Sequence, residues 1–80
     1  MRLPAEVTIT DADRAFAERL MAARIQAQYL PRQLDRAAHL STGTVSVLEN
    51  VLRPASAAEV AALAGALGLS PGELTGLVIA

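Results

Sequence analysis

Thr42, Thr44, Ser46 and Asn50 form the densest group of short hydrogen-bonding side chains in the sequence, with Gly43 and the apolar Val47 among them. A second group, Arg32, Gln33 and Arg36, lies just upstream. Hydroxyls and a carboxamide at helical spacing reach base edges and phosphate oxygens, and guanidinium forks bind phosphate or guanine in pairs of hydrogen bonds. The same side chains also describe an ordinary solvated helix face. The elements that carry them therefore decide the reading. Other chemistries fail on inventory. The chain has one histidine and no cysteine, and a lone imidazole assembles no metal site. No acid and base are paired at a spacing that suggests catalysis. Gly65, Gly68, Gly72 and Gly76 follow no strand, which removes a phosphate-binding loop. Neither an enzyme nor a cofactor is expected.

Those residues must be positioned by a small helical body. The 80 residues allow one domain, which buries roughly 60% of its unfolded surface. Hydrophobic residues make up 52%, yet Phe16 and Tyr29 are the only aromatics. Alanine, leucine and valine supply the rest, and alanine has the highest helix propensity. The longest apolar run, Val60 to Leu69, is about half the ~20 residues that span a bilayer. Met1-Arg2-Leu3-Pro4 leads into no apolar stretch, so no signal peptide is expected. The expectation is a cytoplasmic protein with no membrane contact.

Residues 1–10 read as an N-terminal arm, because Val7 and Ile9 alternate with Thr8 and Thr10 as in a short strand. A lone strand needs a partner, either its copy in a second protomer or the apolar tail Leu77-Val78-Ile79; the other reading is a disordered arm. Residues 11–80 read as the helical domain. Thr10-x-x-Asp13 resembles a capping box, and Phe16, Leu20, Ala23 and Ala27 follow on one face. Pro31 suits the first position of a second helix, with Leu34, Ala37 and Ala38 inward and His39-Leu40 as the turn. Ser41 is the expected N-cap of the third helix, with Val45, Leu48 and Leu52 inward and Arg53-Pro54 as its end. Ser56-x-x-Glu59 and Ser70-Pro71-Gly72-Glu73 open a fourth and a fifth helix, the fourth closed by Gly68.

The second and third helices, joined by a tight turn, make a helix-turn-helix from Pro31 to Asn50. The third helix then projects from the body, able to enter a major groove, and its outward residues Thr42, Gly43, Thr44, Ser46, Val47 and Asn50 are short enough to reach base edges and phosphates. Charge distribution agrees. The net charge is −1, but residues 14–53 hold six arginines (14, 19, 24, 32, 36 and 53) against Glu18, Asp35 and Glu49. Arg32, Gln33 and Arg36 are the phosphate candidates on the second helix.

A wider pattern supports this reading. Arg24-Ile25-Gln26, Leu34, Ser41-x-x-Thr44-Val45-Ser46-x-Leu48-Glu49-Asn50, Pro54 and Ala64-x-Ala66-Leu67-Gly68-Leu69-Ser70-x-x-x-Leu74 resemble the Cro and phage-repressor group of helix-turn-helix proteins, also called the XRE group. The resemblance covers about Phe16 to Leu74. It implies an all-α, five-helix, lambda-repressor-like DNA-binding domain. It also implies that Arg24 pairs with Glu49 to set the angle of the third helix. By the same resemblance Thr42, Gly43 and Val47 sit at base-reading positions, Thr44 at a phosphate, and Arg53 in a loop that contacts the DNA backbone. The sequence departs from the group at four places. Pro31 replaces a glutamine, Asp35 a small residue, and His39 and Val51 replace glycines. Asp35 must find a partner near the helix crossing, with Arg36 and Arg32 as candidates, and His39 must take a left-handed turn conformation.

The expected function is a Cro-like, sequence-specific repressor that binds double-stranded DNA at a palindromic operator as a homodimer. Its dimer surface would be the N-terminal strand or the fifth helix with the C-terminal tail. The alternative is a protein-interaction module or an antitoxin that keeps a degenerate helix-turn-helix.

Overall fold

The computed structural model describes residues 8–76, which form five helices: α1 (Asp11–Gln26), α2 (Pro31–Ala37), α3 (Thr44–Glu49), α4 (Ala57–Leu67) and α5 (Pro71–Thr75). Local sequence explains most of the starts. Thr10 and Asp13, Ser56 and Glu59, and Ser70 and Glu73 each form a reciprocal capping box, which satisfies two otherwise orphaned N–H groups at once. Pro31 and Pro71 open their helices where a missing N–H costs nothing. No strand occurs among the described residues, and Thr8 to Thr10 have no regular structure. Most of the expected strand and the whole tail from Leu77 lie outside the described residues.

The core is built from Phe16 and Leu20 of α1, Leu34 and Ala38 of the α2 segment, Val45 and Leu48 of α3, Leu63 and Ala64 of α4, and Leu74 of α5. Helix α1 packs on α3 and α5, α4 packs on α5 and α2, and α2 packs on α3. The largest side chains at the centre are leucines, Leu20, Leu34 and Leu63 among them. Small alanines at Ala17, Ala38 and Ala64 allow the helices to approach.

Four helices end with the same backbone device. Tyr29 N–H donates to the Arg24 carbonyl at 3.0 Å, Leu40 to Asp35 at 2.8 Å, Leu52 to Val47 at 3.1 Å and Leu69 to Ala64 at 2.8 Å. Each such bond needs a left-handed residue just before the donor. Gly68 fills that role after α4 with φ 71°, whereas Gln28, His39 and Val51 fill it after α1, α2 and α3 with φ 63°, 58° and 56°. His39 thus adopts the turn conformation its position calls for. The bends fall at all three junctions around α2 and α3.

Val51 is the costliest of the three, because a β-branched residue tolerates positive φ poorly. Val51→Gly is expected to raise stability by about 1 kcal/mol, or a melting temperature rise of about 4–8 °C in a domain of this size. A fall in melting temperature would mean that packing of the half-buried valine outweighs its backbone strain.

Two expectations about α3 are corrected. Leu52 does not point inward; the helix stops at Glu49, the chain reverses at Val51, and Leu52 emerges 69% exposed. Likewise Arg53-Pro54 lies beyond the helix end. Ser41 is not the N-cap either. The helix begins at Thr44 behind Gly43, whose φ is 96°, and the Ser41 carbonyl accepts the Thr44 N–H at 3.1 Å in the preceding turn. Smaller departures affect Ala27 and Ala37, which are exposed.

Candidate nucleic-acid interface

The α2–turn–α3 unit is held from inside by Leu34, Ala38, Val45 and Leu48, all in the core. It is held at the joint by Asp35. That carboxylate is 2% exposed; its Oδ2 accepts the Gly43 N–H and its Oδ1 the Val45 N–H, both at 2.8 Å. Two backbone donors at the start of α3 are thereby satisfied by a charge on the preceding helix, where a negative group also meets the positive end of the helix dipole. Neither Arg36 nor Arg32 partners Asp35, as the sequence had suggested. Both are exposed, while the buried carboxylate faces the amides beneath.

A second clamp joins α3 to α1. Arg24 Nε donates to Glu49 Oε2 at 2.6 Å and Nη2 to Oε1 at 3.0 Å, while Nη1 donates to the Tyr29 carbonyl at 2.9 Å. The two side chains are 12% and 5% exposed. The hydrogen bond to Glu49 is the main reason the Arg24 pKa lies above its ordinary value. Asp35 therefore holds the start of α3 and Arg24 its end. Both ends of a six-residue helix are fixed by side chains of other helices.

What remains outward is short and mostly polar. Thr42, Ser46 and Asn50 are exposed, and Gly43, Thr44 and Val47 are half-buried. Asn50 Nδ2 donates to the Ser46 carbonyl at 2.7 Å, so part of its capacity serves the helix end. An open cleft of about 580 Å³ separates Arg32 and Gln33 at the start of α2 from Thr42, Gly43 and Ser46 at the start of α3. Gln33 Oε1 accepts the Leu30 N–H at 2.8 Å, which caps α2 while the residue stays exposed.

The arginines divide into two kinds. Among the described residues Arg32 and Arg36 enter no ion pair and are exposed. Arg53 is engaged: Nη1 and Nη2 donate to Glu59 Oε1 and Oε2 at 2.7 and 2.6 Å, and Nη1 also meets the Pro54 carbonyl at 3.1 Å. Its side chain stays 41% exposed. It can meet a phosphate only while shared with a carboxylate.

Glu59 is held at a pKa of about 2, first by the Arg53 hydrogen bonds and then by those from Ser56. A carboxylate depressed in the folded state stabilises fully above its unfolded pKa. That contribution is lost as the pH falls from about 4.5 toward 2. Glu59→Gln is therefore expected to be less stable than the parent at pH 7, with the gap closing near pH 2. A gap unchanged across that window in paired thermal melts would contradict the assignment.

Among the described residues no cluster of histidine, cysteine and carboxylate residues could hold a metal, and no helix is long and apolar enough to cross a membrane. No protein-family profile matches the sequence, and no curated protein sequence does. Solved structures do match. A hypothetical transcription factor, NHTF, from Neisseria shares 24% identity over 91% of this chain and 85% of its own, with a TM-score of 0.77. The clp gene regulator ClgR from Corynebacterium glutamicum shares 25% identity over 84% of this chain and 71% of its own, with a TM-score of 0.74. The five-helix fold is thus one found in transcription regulators.

Proposed function

We propose that this chain is a sequence-specific double-stranded DNA-binding transcriptional repressor of the Cro type. It acts as a two-fold dimer that inserts α3 of each protomer into the major groove of a palindromic operator. The observation that carries this reading is the pairing of two features: a short helix fixed at both ends, and an outward face left polar beside Arg32 and Arg36, which enter no ion pair among the described residues. Thr42, Gly43, Ser46, Val47 and Asn50 read bases. Thr44, Gln33, Arg32 and Arg36 meet phosphates, and Arg53 adds a weaker contact because Glu59 shares its guanidinium. The likeness to NHTF and ClgR supports regulation of genes as the purpose. The dimer forms through α5 with residues 77–80 or through the segment 3–10.

A second reading, a protein-interaction module or an antitoxin with a degenerate helix-turn-helix, draws on one observation. Glu59 neutralises Arg53, an arginine that would otherwise be free to serve DNA. Selection of duplexes from a random pool separates the two. The proposed function predicts recovery of inverted repeats whose half-sites lie about 34 Å, one helical turn, apart. A pool that gains no consensus contradicts sequence-specific binding, and an unrepeated site contradicts the two-fold dimer.

A further inference from the structure

Helix α3, Thr44-Val45-Ser46-Val47-Leu48-Glu49, has no arginine or lysine. The arginine after it is bound to Glu59, and the one that reaches its end from α1 is bound to Glu49. The commonest reader of guanine, a basic fork on O6 and N7, is therefore missing from α3 itself. Two nearby arginines that enter no ion pair among the described residues, Arg32 and Arg36, belong to α2, where the proposed function assigns them to phosphates. Asn50 has the side chain type that pairs with adenine at two atoms, and one of its two Nδ2 hydrogens is taken by the Ser46 carbonyl, so its contribution is constrained by the helix end. Val47 differs from these. Val45 and Leu48 enter the core, whereas Val47 belongs neither to the core nor to the side chains packed on it and remains partly exposed.

Val47 is also rigid. Its N–H donates to the Gly43 carbonyl at 3.0 Å and its carbonyl accepts the Leu52 N–H at 3.1 Å, so its backbone is fixed on both sides. A valine in a helix keeps essentially one χ1 rotamer. The result is a fixed apolar knob on a polar face. In the major groove the apolar group of a base edge is the C5-methyl of thymine.

Resting on the DNA-binding reading above, we infer that Val47 is the specificity-determining residue of this interface, and that it selects A·T pairs by packing on the thymine methyl. With Arg32 and Arg36 on phosphates, no guanidinium fork on α2 or α3 is left to bind guanine O6 and N7.

The test uses the intact protein and a duplex recovered from a random pool by binding to it. The duplex is resynthesised with deoxyuridine in place of thymidine, which removes only the methyl groups, and separately with 7-deazadeoxyguanosine in place of deoxyguanosine. Deoxyuridine should weaken binding about four-fold for each contacted thymine, the value of one buried methyl. Val47→Ala should bind the thymidine and deoxyuridine duplexes equally, and the deazaguanine duplex should bind like the parent. Binding that ignores the methyl groups, or a larger loss with deazaguanine, overturns the inference while leaving DNA binding intact. Failure to retain any duplex at low salt overturns the DNA-binding reading itself, and this inference with it.

Discussion

Glu49→Ala is expected to cost about 3–5 kcal/mol, because it leaves the nearly buried Arg24 guanidinium without its carboxylate. A domain of 80 residues has a total stability of roughly 4–12 kcal/mol at the usual ~0.05–0.15 kcal/mol per residue. The single change therefore takes up a large share of what holds the fold. The loss does not measure an attraction worth that much. Most of it is the cost of burying one unpaired charge, so Arg24→Met combined with Glu49→Leu should recover most of the stability. Denaturant unfolding of the two variants checks both statements. A Glu49→Ala loss below about 1 kcal/mol would make the pair equivalent to an exposed surface bridge and remove its role in fixing α3.

Asp35→Ala is the second large effect. It strips the acceptors from Gly43 and Val45 N–H at the start of α3. Unsatisfied buried donors cost about 1–3 kcal/mol each, offset in part because a buried carboxylate is also removed. A net loss of about 2–3 kcal/mol is expected, at or above the ~2 kcal/mol top of the range for losing an ordinary helix cap, because two buried donors are orphaned at once. Asp35→Asn, which keeps one acceptor oxygen, should fall between the two. The loss is also local. Amide hydrogen exchange at Gly43 and Val45 should accelerate more than at Leu63 of α4, since α3 loosens before the whole domain opens. Equal acceleration at all three sites would mean that Asp35 supports the core generally and does not position α3.

Much of this fold is readable in the chain because its instructions are local. Thr10 with Asp13, Ser56 with Glu59 and Ser70 with Glu73 are pairs three residues apart, and each opens a helix where the residue types say it should. Phe16, Leu20, Val45 and Leu48 follow from periodicity and enter the core. The start of α3 is different. Ser41 has the right side chain for a cap, but the cap comes from Asp35 on another helix, so only the fold brings donor and acceptor together. Leu52 fails for a related reason, since periodicity does not foresee a valine accepting φ 56° to end the helix early.

The candidate site divides in the same way. Its outward residues can be read from spacing, but which of their groups are already engaged cannot. The Arg53 guanidinium on Glu59, the Gln33 carbonyl on Leu30 N–H and the Asn50 amide on the Ser46 carbonyl are all features of packing. The one signal for Asp35 was its oddity. An acidic residue at a helix crossing demands a donor, and the nearest unsatisfied donors are the amides that begin the next helix.

Whether α2 and α3 together bind duplex DNA is decided by a fluorescence anisotropy titration of a random-sequence duplex across salt concentrations. If Arg32 and Arg36 of both protomers each neutralise one phosphate, log affinity should fall with log salt at a slope near −4, and affinity should drop about 10²-fold between 50 and 200 mM salt. Arg32→Ala with Arg36→Ala should flatten most of that slope without unfolding the chain, because both side chains are exposed. No binding at low salt, or binding indifferent to salt and to these two arginines, would rule out duplex recognition by α2 and α3.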